Sequence, residues 1–290
     1  MSQRFRANVY GVTSSLGVLL LSLTLCNHTP AQTFWQSYQA RAEATQVNQP
    51  HWATPLVTVN AHIDQGFRAD FVRQTATSGV TTWNDGNTKG LQLIPFARTE
   101  LRISPPPFFS HSTSSTHDGF GDIAFRLKFR VYGSNEEHHN AVVSLALSAS
   151  IPTGKNGNGS CCAIVTPTLL LGKGFRKLAL TTNASGTLPV SNTAGLGRSI
   201  GWNNAVQYHA TKYLWLENEI NSTFYKGGKY DGKQQTFATP GLILSRIPLS
   251  HPKSGEKSPL FISFGVGEQI ALTHFNTYNH SPILSGRLRF

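Results

Sequence analysis

The sequence GDIAFRLKFRV, from Gly121 to Val131, alternates apolar and polar residues almost without a break. Successive residues of a β-strand point to opposite sides. One side of this stretch therefore carries the apolar residues Ile123, Phe125, Leu127, Phe129 and Val131. The other side carries Ala124, Arg126, Lys128 and Arg130. A strand needs about 9–11 residues to cross a bilayer, apolar toward lipid and polar toward a lumen. The stretch predicts a membrane-spanning strand with a cationic inner face.

The N-terminal residues have the pattern of a secretory signal peptide. Arg4 and Arg6 give a basic start, and a short apolar run extends from Leu16 to Leu25. The small residues around Thr29-Pro30-Ala31 are typical of a cleavage site. We predict a signal peptide over residues 1–31, and the cell outer membrane as the location of the processed chain.

Cys26 raises a second interpretation, in which the chain is a lipoprotein. Lipobox sequences generally place a small residue just before the cysteine, whereas this chain has Leu25, so we favour simple cleavage. The apolar run is shorter than the about 20 residues that a transmembrane helix needs, and no other segment is longer. A membrane protein with this sequence must then be a closed barrel, because an open sheet leaves unpaired backbone groups in lipid.

The composition fits one β-domain. Only 13% of residues are charged, and the formal net charge is +11 at pH 7. A basic excess can attract nucleic acid, an anionic membrane surface or anionic solutes. Because the chain carries a secretory signal, we predict no nucleic-acid partner. We expect a loose periplasmic segment over residues 32–50 and a single barrel domain over residues 51–290.

The fold class predicted is all-β, a closed antiparallel up-and-down transmembrane barrel of about 12 strands. An even number is expected when both ends of a bacterial barrel lie in the periplasm. The predicted strands cover residues 52–62, 66–74, 89–104, 120–131, 140–151, 163–172, 176–188, 199–210, 213–224, 235–247, 260–270 and 280–290. Pro105-Pro106-Pro107 ends the third, because proline cannot donate to a ladder.

The connections between these strands differ in length. With Phe290 in the periplasm, the turns 173–175 and 211–212 are periplasmic and tight. The loops predicted to be external are longer, and they cover residues 105–119, 152–162, 189–198 and 225–233. This asymmetry is usual for bacterial barrels. Two long connections, 76–88 and 248–259, would be periplasmic and do not fit the pattern.

Three short motifs resemble those of a known family. The sequence DGFGDI, from Asp118 to Ile123, resembles the G-x-G-D strand of Gram-negative outer-membrane proteins described as meta-pathway phenol-degradation-like transporters. The sequence IPTG from Ile151 to Gly154 is similar to that family's strand end, and RLRF from Arg287 to Phe290 resembles a barrel-assembly signal. The resemblance touches the chain from about Gly66 onward. It implies a barrel that passes hydrophobic or aromatic small molecules, and it implies no catalytic residues.

The motif residues Asp118, Gly119, Gly121 and Asp122 have two interpretations. The glycines suit a turn or bulge that side chains would block, and the aspartates suit caps for nearby amides. A metal site is the alternative, but hard cations want about six oxygen ligands and only two are evident. His138-His139 beside Glu136-Glu137 fits a solvated turn better than a ligand set, because no fixed ligand spacing occurs. We predict no metal and no cofactor.

Cys161-Cys162 lies in a loop rich in glycine and asparagine. An oxidising compartment permits a disulfide, but neighbouring cysteines close only a strained ring. The spacing matches none of the common metal or redox patterns. We favour a structural or incidental role.

Catalysis is the main alternative to transport. His209 is predicted to face inward near Glu217 and Glu219, which could serve acid–base chemistry or a polar network in the lumen. The chain has no G-x-S-x-G elbow and no phosphate loop. We therefore predict that the chain is not an enzyme, with a barrel hydrolase acting on lipid or peptide as the alternative. A structural or adhesive barrel and a soluble β-sandwich are the others.

The predicted inner face is mainly cationic. Its members are Arg98, Arg102, Arg126, Lys128, Arg130, Lys177, Arg287 and Arg289, against Glu100, Glu217 and Glu219. In a filled barrel these ions could pair and hold the structure together. Rings of arginine and lysine favour anions in a pore, and twelve strands leave a narrow or plugged interior. We predict a passive channel for small hydrophobic, aromatic or anionic solutes. Its expected partners are outer-membrane lipid, lipopolysaccharide and the assembly machinery, which would read Leu288 and Phe290.

Overall fold

The computed structural model describes residues 29–249 and 260–290, and the chain divides into two compact units, Met1–Arg41 and Ala42–Phe290. Helix α1 covers Thr29–Val47. The prediction of a loose chain over residues 32–50 is therefore wrong for most of that range. Its alanine, glutamine, glutamate and arginine residues are good helix formers, which explains the helix. Most of the predicted signal peptide, residues 1–28, lies outside the described residues. No helix in the described ranges is long and apolar enough to cross a membrane.

Fifteen strand segments make one antiparallel sheet in the described residues. They are β1 Gly66–Thr75, β2 Thr81–Asp85, β3 Leu91–Phe96, β4 Thr99–Ser104, β5 Phe108–His111, β6 Gly119–Phe120, β7 Ile123–Ser134, β8 Ala141–Ile151, β9 Ile164–Phe175, β10 Leu178–Pro189, β11 Arg198–His209, β12 Leu214–Lys226, β13 Gln234–Pro248, β14 Phe261–Ala271 and β15 His280–Arg289. A short helix, α2 Thr193–Leu196, and a single 3₁₀ turn, Gly228–Tyr230, lie in two of the connections.

The sheet closes on itself, because β1 pairs with β15. Gly66 pairs with Arg289 at one end of this seam, which we call the terminal rim, and Thr75 pairs with His280 at the opposite rim. β2 and β3 both pair with β1 and together act as one barrel strand. β4 with β5, and β6 with β7, continue each other in the same way. The result is the closed barrel of twelve antiparallel strands that the sequence predicts.

Two of the predicted strands are nevertheless wrong. Residues 52–62 form no strand, and residues 89–104 form two short strands joined by a turn at Ala97 and Arg98. Arg98 adopts a left-handed backbone with φ 63°, which makes the tight reversal possible. Residues 81–85, within the predicted connection 76–88, form β2 and complete the barrel strand that contains β3, so that connection is not a long periplasmic turn. Most of the other exception, 248–259, lies outside the described residues.

The strands from β7 onward keep the alternation seen in the sequence. On β7, Leu127 is 51% exposed whereas Lys128 is fully buried. The outward side chains of the other strands are also mostly apolar and exposed, among them Phe71, Leu145, Leu169, Ile200, Leu216, Leu242 and Val266. A barrel with an apolar outer band and a polar interior has the pattern of a membrane-spanning barrel.

Candidate functional site

The lumen of the barrel holds a segment of the same chain. We call residues 49–65 the inner segment. Every residue in it is buried except His51, Val57 and Val59, which are half-buried. Its two ends are tied together, since the side-chain amide of Gln49 donates to the carbonyl of Ile63 at 2.7 Å and accepts from the Ile63 N–H at 3.0 Å. The segment is not a strand, because its backbone groups bond to side chains of the barrel wall rather than to a neighbouring ladder.

Apolar side chains of the inner segment fit places where the wall has glycine. Leu56 packs against Gly241, Gly265 and Gly267, and a β-carbon on any of them would come within 2.5–2.7 Å of a Leu56 methyl. A β-carbon on Gly172 would likewise stand 2.7 Å from the Trp52 ring. Its indole N–H donates to Asn140 at 3.1 Å. Leu56 and Trp52 also belong to one buried apolar cluster with wall residues such as Val142, Leu170 and Ile243.

Two glutamates of β12 hold the middle of the inner segment. Glu217 accepts the backbone N–H of Leu56 at 3.0 Å. Glu219 accepts the N–H groups of Val57 and Thr58, at 2.8 and 2.5 Å. Hydrogen bonds to a charged acceptor are stronger than neutral ones. These carboxylates are therefore engaged with the inner segment, and neither of them is hydrogen-bonded to His209 in the described residues. The His209 ring instead stacks on Trp215, with centroids 4.2 Å apart.

Arginines of the terminal-rim half hold the backbone carbonyls of the inner segment. Arg68 donates to the carbonyls of Pro55 and Leu56, at 3.1 and 2.5 Å. Arg287 donates to the carbonyls of Thr54 and Pro55, the latter at 2.7 Å. In residues 54–58 of the inner segment, the backbone N–H groups thus bind carboxylates of the wall, and the backbone carbonyls bind its guanidinium groups. Each type of backbone group meets a charge of the opposite sign.

Buried ion pairs hold the last part of the inner segment, around residues 62–64, in place before β1 begins. Lys128 lies 3.1 Å from Glu100, and its ammonium also donates to the His62 carbonyl at 2.9 Å. The Glu100 oxygen that binds Lys128 also accepts the Asp64 N–H, at 2.8 Å. The Asp64 carboxylate pairs with Arg289 at 2.8 Å. These bonds make the segment part of the barrel's polar interior.

Arg130 contacts the start of the segment. Its guanidinium donates to the Thr45 carbonyl at 2.6 Å and to the Gln49 side chain at 2.9 Å. Arg126, four residues earlier on the same face of β7, instead bonds Ser148 of the neighbouring strand at 2.9 Å. The three cations of β7 therefore have three different surroundings.

The structure corrects two of the predicted inward residues. Arg98 and Lys177 lie in the two-residue turns after β3 and β9 and are exposed. In each case the inward–outward alternation of the strand stops at the turn, so it does not predict the direction of the turn residue. The remaining members of the predicted set lie on the inner face, and all are buried or half-buried: Glu100, Arg102, Arg126, Lys128, Arg130, Glu217, Glu219, Arg287 and Arg289.

The predicted Gly-Asp turn lies at the opposite rim, where its aspartates cap amides of other loops. Asp118 accepts the His111 N–H at 2.8 Å. Asp122 accepts the N–H groups of Gly154 and Ser160, each at 2.8 Å. Gly121 lies so close to the Phe109 ring that a β-carbon would stand 2.6 Å from it. The turn is thus a structural link between neighbouring connections at the opposite rim.

The C-terminal pair has half-buried side chains. Leu288 is in β15 opposite Phe67, and the Phe290 carbonyl accepts from Gln65 at 3.3 Å. Cys161 and Cys162 are free thiols with their sulfurs 2.8 Å apart at the opposite rim.

Sequence reasoning missed several inner-face residues, among them Arg68, Asp70 and Lys89. Arg68 and Asp70 pair at 2.8 Å and are both buried. The sequence could have predicted the inward direction of these two side chains, because they alternate with the apolar residues Phe67, Ala69 and Phe71 along β1. Lys89 follows β2 in the connection to β3, where no alternation marks it.

No protein-family model matches the chain, and no curated protein matches it in sequence. Among solved structures, the chain is similar to an outer membrane channel from Pseudomonas putida F1, with a TM-score of 0.56 and 13% identity over 82% of this chain and 99% of that one. The NanC porin matches with a TM-score of 0.48 and 8% identity, over 78% of this chain and 98% of that one. At this identity the first likeness shows that the two chains share a fold.

Proposed function

We propose that this protein is an outer-membrane channel for small solutes and that it favours anions. The barrel's outer surface is apolar on almost every strand, as lipid requires. The shared fold with an outer membrane channel supports the same location and role. The predicted family of phenol-degradation-like transporters is consistent with this proposal, although no family model matches the chain.

The observation that carries the preference for anions is an excess of cations on the inner face. Arg102 and Arg126 are direct partners on β4 and β7, and Arg68 and Arg287 are direct partners on β1 and β15. Like charges facing each other across a ladder are destabilising. Arg102 and Arg126 have no ion-pair partner within the described residues. Such a wall raises the local concentration of anions and repels cations.

The inner segment narrows the lumen, so the channel is expected to conduct weakly. Its contacts to Glu217, Glu219 and the arginines of β1 and β15 are all within one compact unit of the chain. A solute must pass beside the segment or displace part of it. The channel is accordingly proposed to be selective and not a general porin.

The test is planar-bilayer recording of the protein purified from outer membranes in a nonionic detergent. We expect discrete current steps and a reversal potential that favours anions in a salt gradient. The preference should weaken as salt rises, because the Debye length falls from about 10 Å at 0.1 M to about 3 Å at 1 M. Absence of steps, or selectivity for cations, would contradict the proposal. Recovery of the protein in the soluble periplasm without detergent would contradict the proposal that the barrel lies in the outer membrane.

The solute class can be tested in the same recordings. Benzoate and phenol differ in charge but share the aromatic ring that the family resemblance implies. If charge selects the solute, benzoate should carry or block current and phenol should have little effect. The reverse result would assign the channel to neutral aromatic compounds.

A further inference from the structure

A small cavity lies between the inner segment and the cationic part of the wall. Its volume is about 20 Å³, which is enough for one water-sized group, since such a group needs roughly 10–15 Å³. Segment residues 54 and 57–60 form one side. The wall side is formed by Arg68, Lys89, Gln92, Arg102, Arg126 and Arg287. Five cationic side chains thus meet at a space the size of one small group.

The acidic groups near this cavity do not balance its charge. Asp70 pairs with Arg68 at 2.8 Å and with Lys89 at 3.9 Å. Glu100 is bound by Lys128 at 3.1 Å and by Gln92 at 3.3 Å. No ion pair reaches Arg102, Arg126 or Arg287 within the described residues. Burying an unpaired charge is unfavourable, so a counter-charge beyond those that the described residues supply would stabilise the cluster.

Two buried guanidinium nitrogens have no partner in the described part of the chain. They are the Nε atoms of Arg102 and Arg287, whose residues are 8% and 9% exposed. The Arg102 side chain makes no hydrogen bond there, whereas the other nitrogens of Arg287 bind carbonyls of the inner segment. Buried donors of this kind are normally satisfied. Arg102 is therefore the side chain whose donors are most available to a ligand in the cavity.

We infer that this cavity is a binding site for one compact monovalent anion, either a halide or the carboxylate group of a small organic acid. The inference rests on the proposed function, since it names the point in the lumen where a permeating anion would pause. Arg102 and Arg126 would bind the anion directly, with Thr58 and Asn60 of the inner segment as neutral neighbours. An anion there would screen the two facing arginine pairs and so stabilise both the wall and the segment against it.

The first experiment measures thermal unfolding of the purified full-length protein in nonionic detergent with added salt. Sodium chloride and sodium formate probe the two anion sources, and the sodium salt of MOPS, a bulky sulfonate, serves at equal ionic strength. A ligand that binds only the native state raises the midpoint of unfolding, and at a given concentration a tighter ligand raises it more. We expect chloride, formate or both to raise it well above the MOPS value. Equal effects of all three salts would overturn the inference, and a difference between chloride and formate identifies the anion.

Variants tie the effect to the cavity. Arg102→Gln should weaken binding about tenfold or more, as expected for loss of a charge-assisted bond. Arg126→Gln should weaken anion binding to a similar degree, and it replaces Arg102→Gln in the test if that variant fails to fold. Arg198→Gln is the control, because Arg198 is exposed at the opposite rim. An unchanged anion effect in both folded cavity variants would contradict the inference.

Crystals grown with sodium bromide give a test that does not depend on stability. An anomalous peak between Arg102 and Arg126 is expected in the native protein and not in Arg102→Gln. If chloride stabilises the protein in the salt experiment, bromide only elsewhere on the molecule would overturn the site. Anion binding without conductance would leave this site standing and reject the channel, whereas anion-selective conductance without binding would do the opposite.

Discussion

A methyl of Leu56 lies only 2.5 Å from the position that a β-carbon on Gly267 would take. Leu56 is 1% exposed and comes from the inner segment, whereas Gly267 belongs to the barrel wall on β14. The close approach shows that the segment is held by shape as well as by hydrogen bonds. Similar close approaches occur at Gly241 and Gly265. The wall is therefore shaped to receive one leucine.

The fit of Leu56 can be tested by a double-mutant cycle. Leu56→Ala should lower the free energy of unfolding by about 2–5 kcal/mol, the usual range for a buried leucine. Gly267→Ala should also destabilise, because the added carbon collides with Leu56. The double variant should be more stable than the sum of the two changes predicts, since the truncated side chain leaves room for the new carbon. Gly186→Ala is the control, as nothing lies within 4 Å of its added carbon. Simple additivity would show that the two residues are not in contact.

The carboxylate of Glu219 should hold the inner segment in place. Glu219→Gln puts an amide NH₂ group where one of the two backbone N–H donors needs an acceptor. We expect a loss of about 1–3 kcal/mol in the free energy of unfolding, and larger current fluctuations in single-channel recordings. Glu268→Gln is the control, because its carboxylate is about half exposed beside His280. If Glu219→Gln matches the control in both measurements, the segment does not depend on this carboxylate.

Lys128 is expected to act in stability rather than in solute selection. Its ammonium is fully buried with Glu100 and the His62 carbonyl. Lys128→Met leaves the Glu100 charge unpaired, which should lower the free energy of unfolding by about 3–5 kcal/mol. Adding Glu100→Gln should restore part of that loss. Reversal potentials of the folded double variant should stay close to those of the native protein. A strong shift toward cations would instead place Lys128 on the solute path.

The contact between His51 and Glu136 predicts a loss of stability in acid. Burial raises the pKa of Glu136, but hydrogen bonds from the His51 backbone and ring outweigh it and lower the pKa to about 2. A carboxyl with a lowered pKa contributes stability that is full above its unfolded value of about 4.5 and is lost as the pH falls toward 2. Thermal unfolding between pH 6 and pH 2 should show this loss. Glu136→Gln should show less pH dependence than Glu137→Gln, its exposed neighbour. Equal dependence in the two variants would assign the effect to other groups.

Phe290 is proposed to be read by the barrel-assembly machinery. Deleting it should sharply reduce the amount of assembled, heat-modifiable protein while leaving synthesis and signal cleavage unchanged. Phe290→Tyr keeps an aromatic terminus and should assemble normally. If the deletion assembles as well as the native chain, Phe290 is only a packing residue beside Gln65.

The sequence predicts the later strands well because each alternates and is bounded by turn residues. Strands β8 to β15 agree with the predicted ranges to within three residues at either end. The first part of the barrel was predicted less well, although the total of twelve is right. One false strand at residues 52–62 compensated for the hairpin hidden within 89–104. Nothing at Ala97-Arg98 marks a turn, because neither residue is a glycine, asparagine or proline.

The inner segment could not be recognised from the sequence for a physical reason. Residues 52–62 are moderately apolar and lack charge, as a short strand would be. What keeps them out of the sheet is a set of distant partners such as Glu217, Glu219 and Arg287 on the wall. Periodicity reports only local spacing, so it cannot show that these residues bond to strands far along the chain. The inward residues of the later strands were predictable, whereas their partners were not.

The inner segment also has a consequence for folding. Gln65 meets Phe290 across 225 positions of the chain, and the seam between β1 and β15 joins the first strand to the last. Contacts of such long range form slowly, because the chain between them must be ordered first. The barrel must therefore close around residues that were synthesised before any of its strands. We expect refolding to show a slow final phase, and a change of its rate in Leu56→Ala would show that docking of the segment accompanies closure of the barrel.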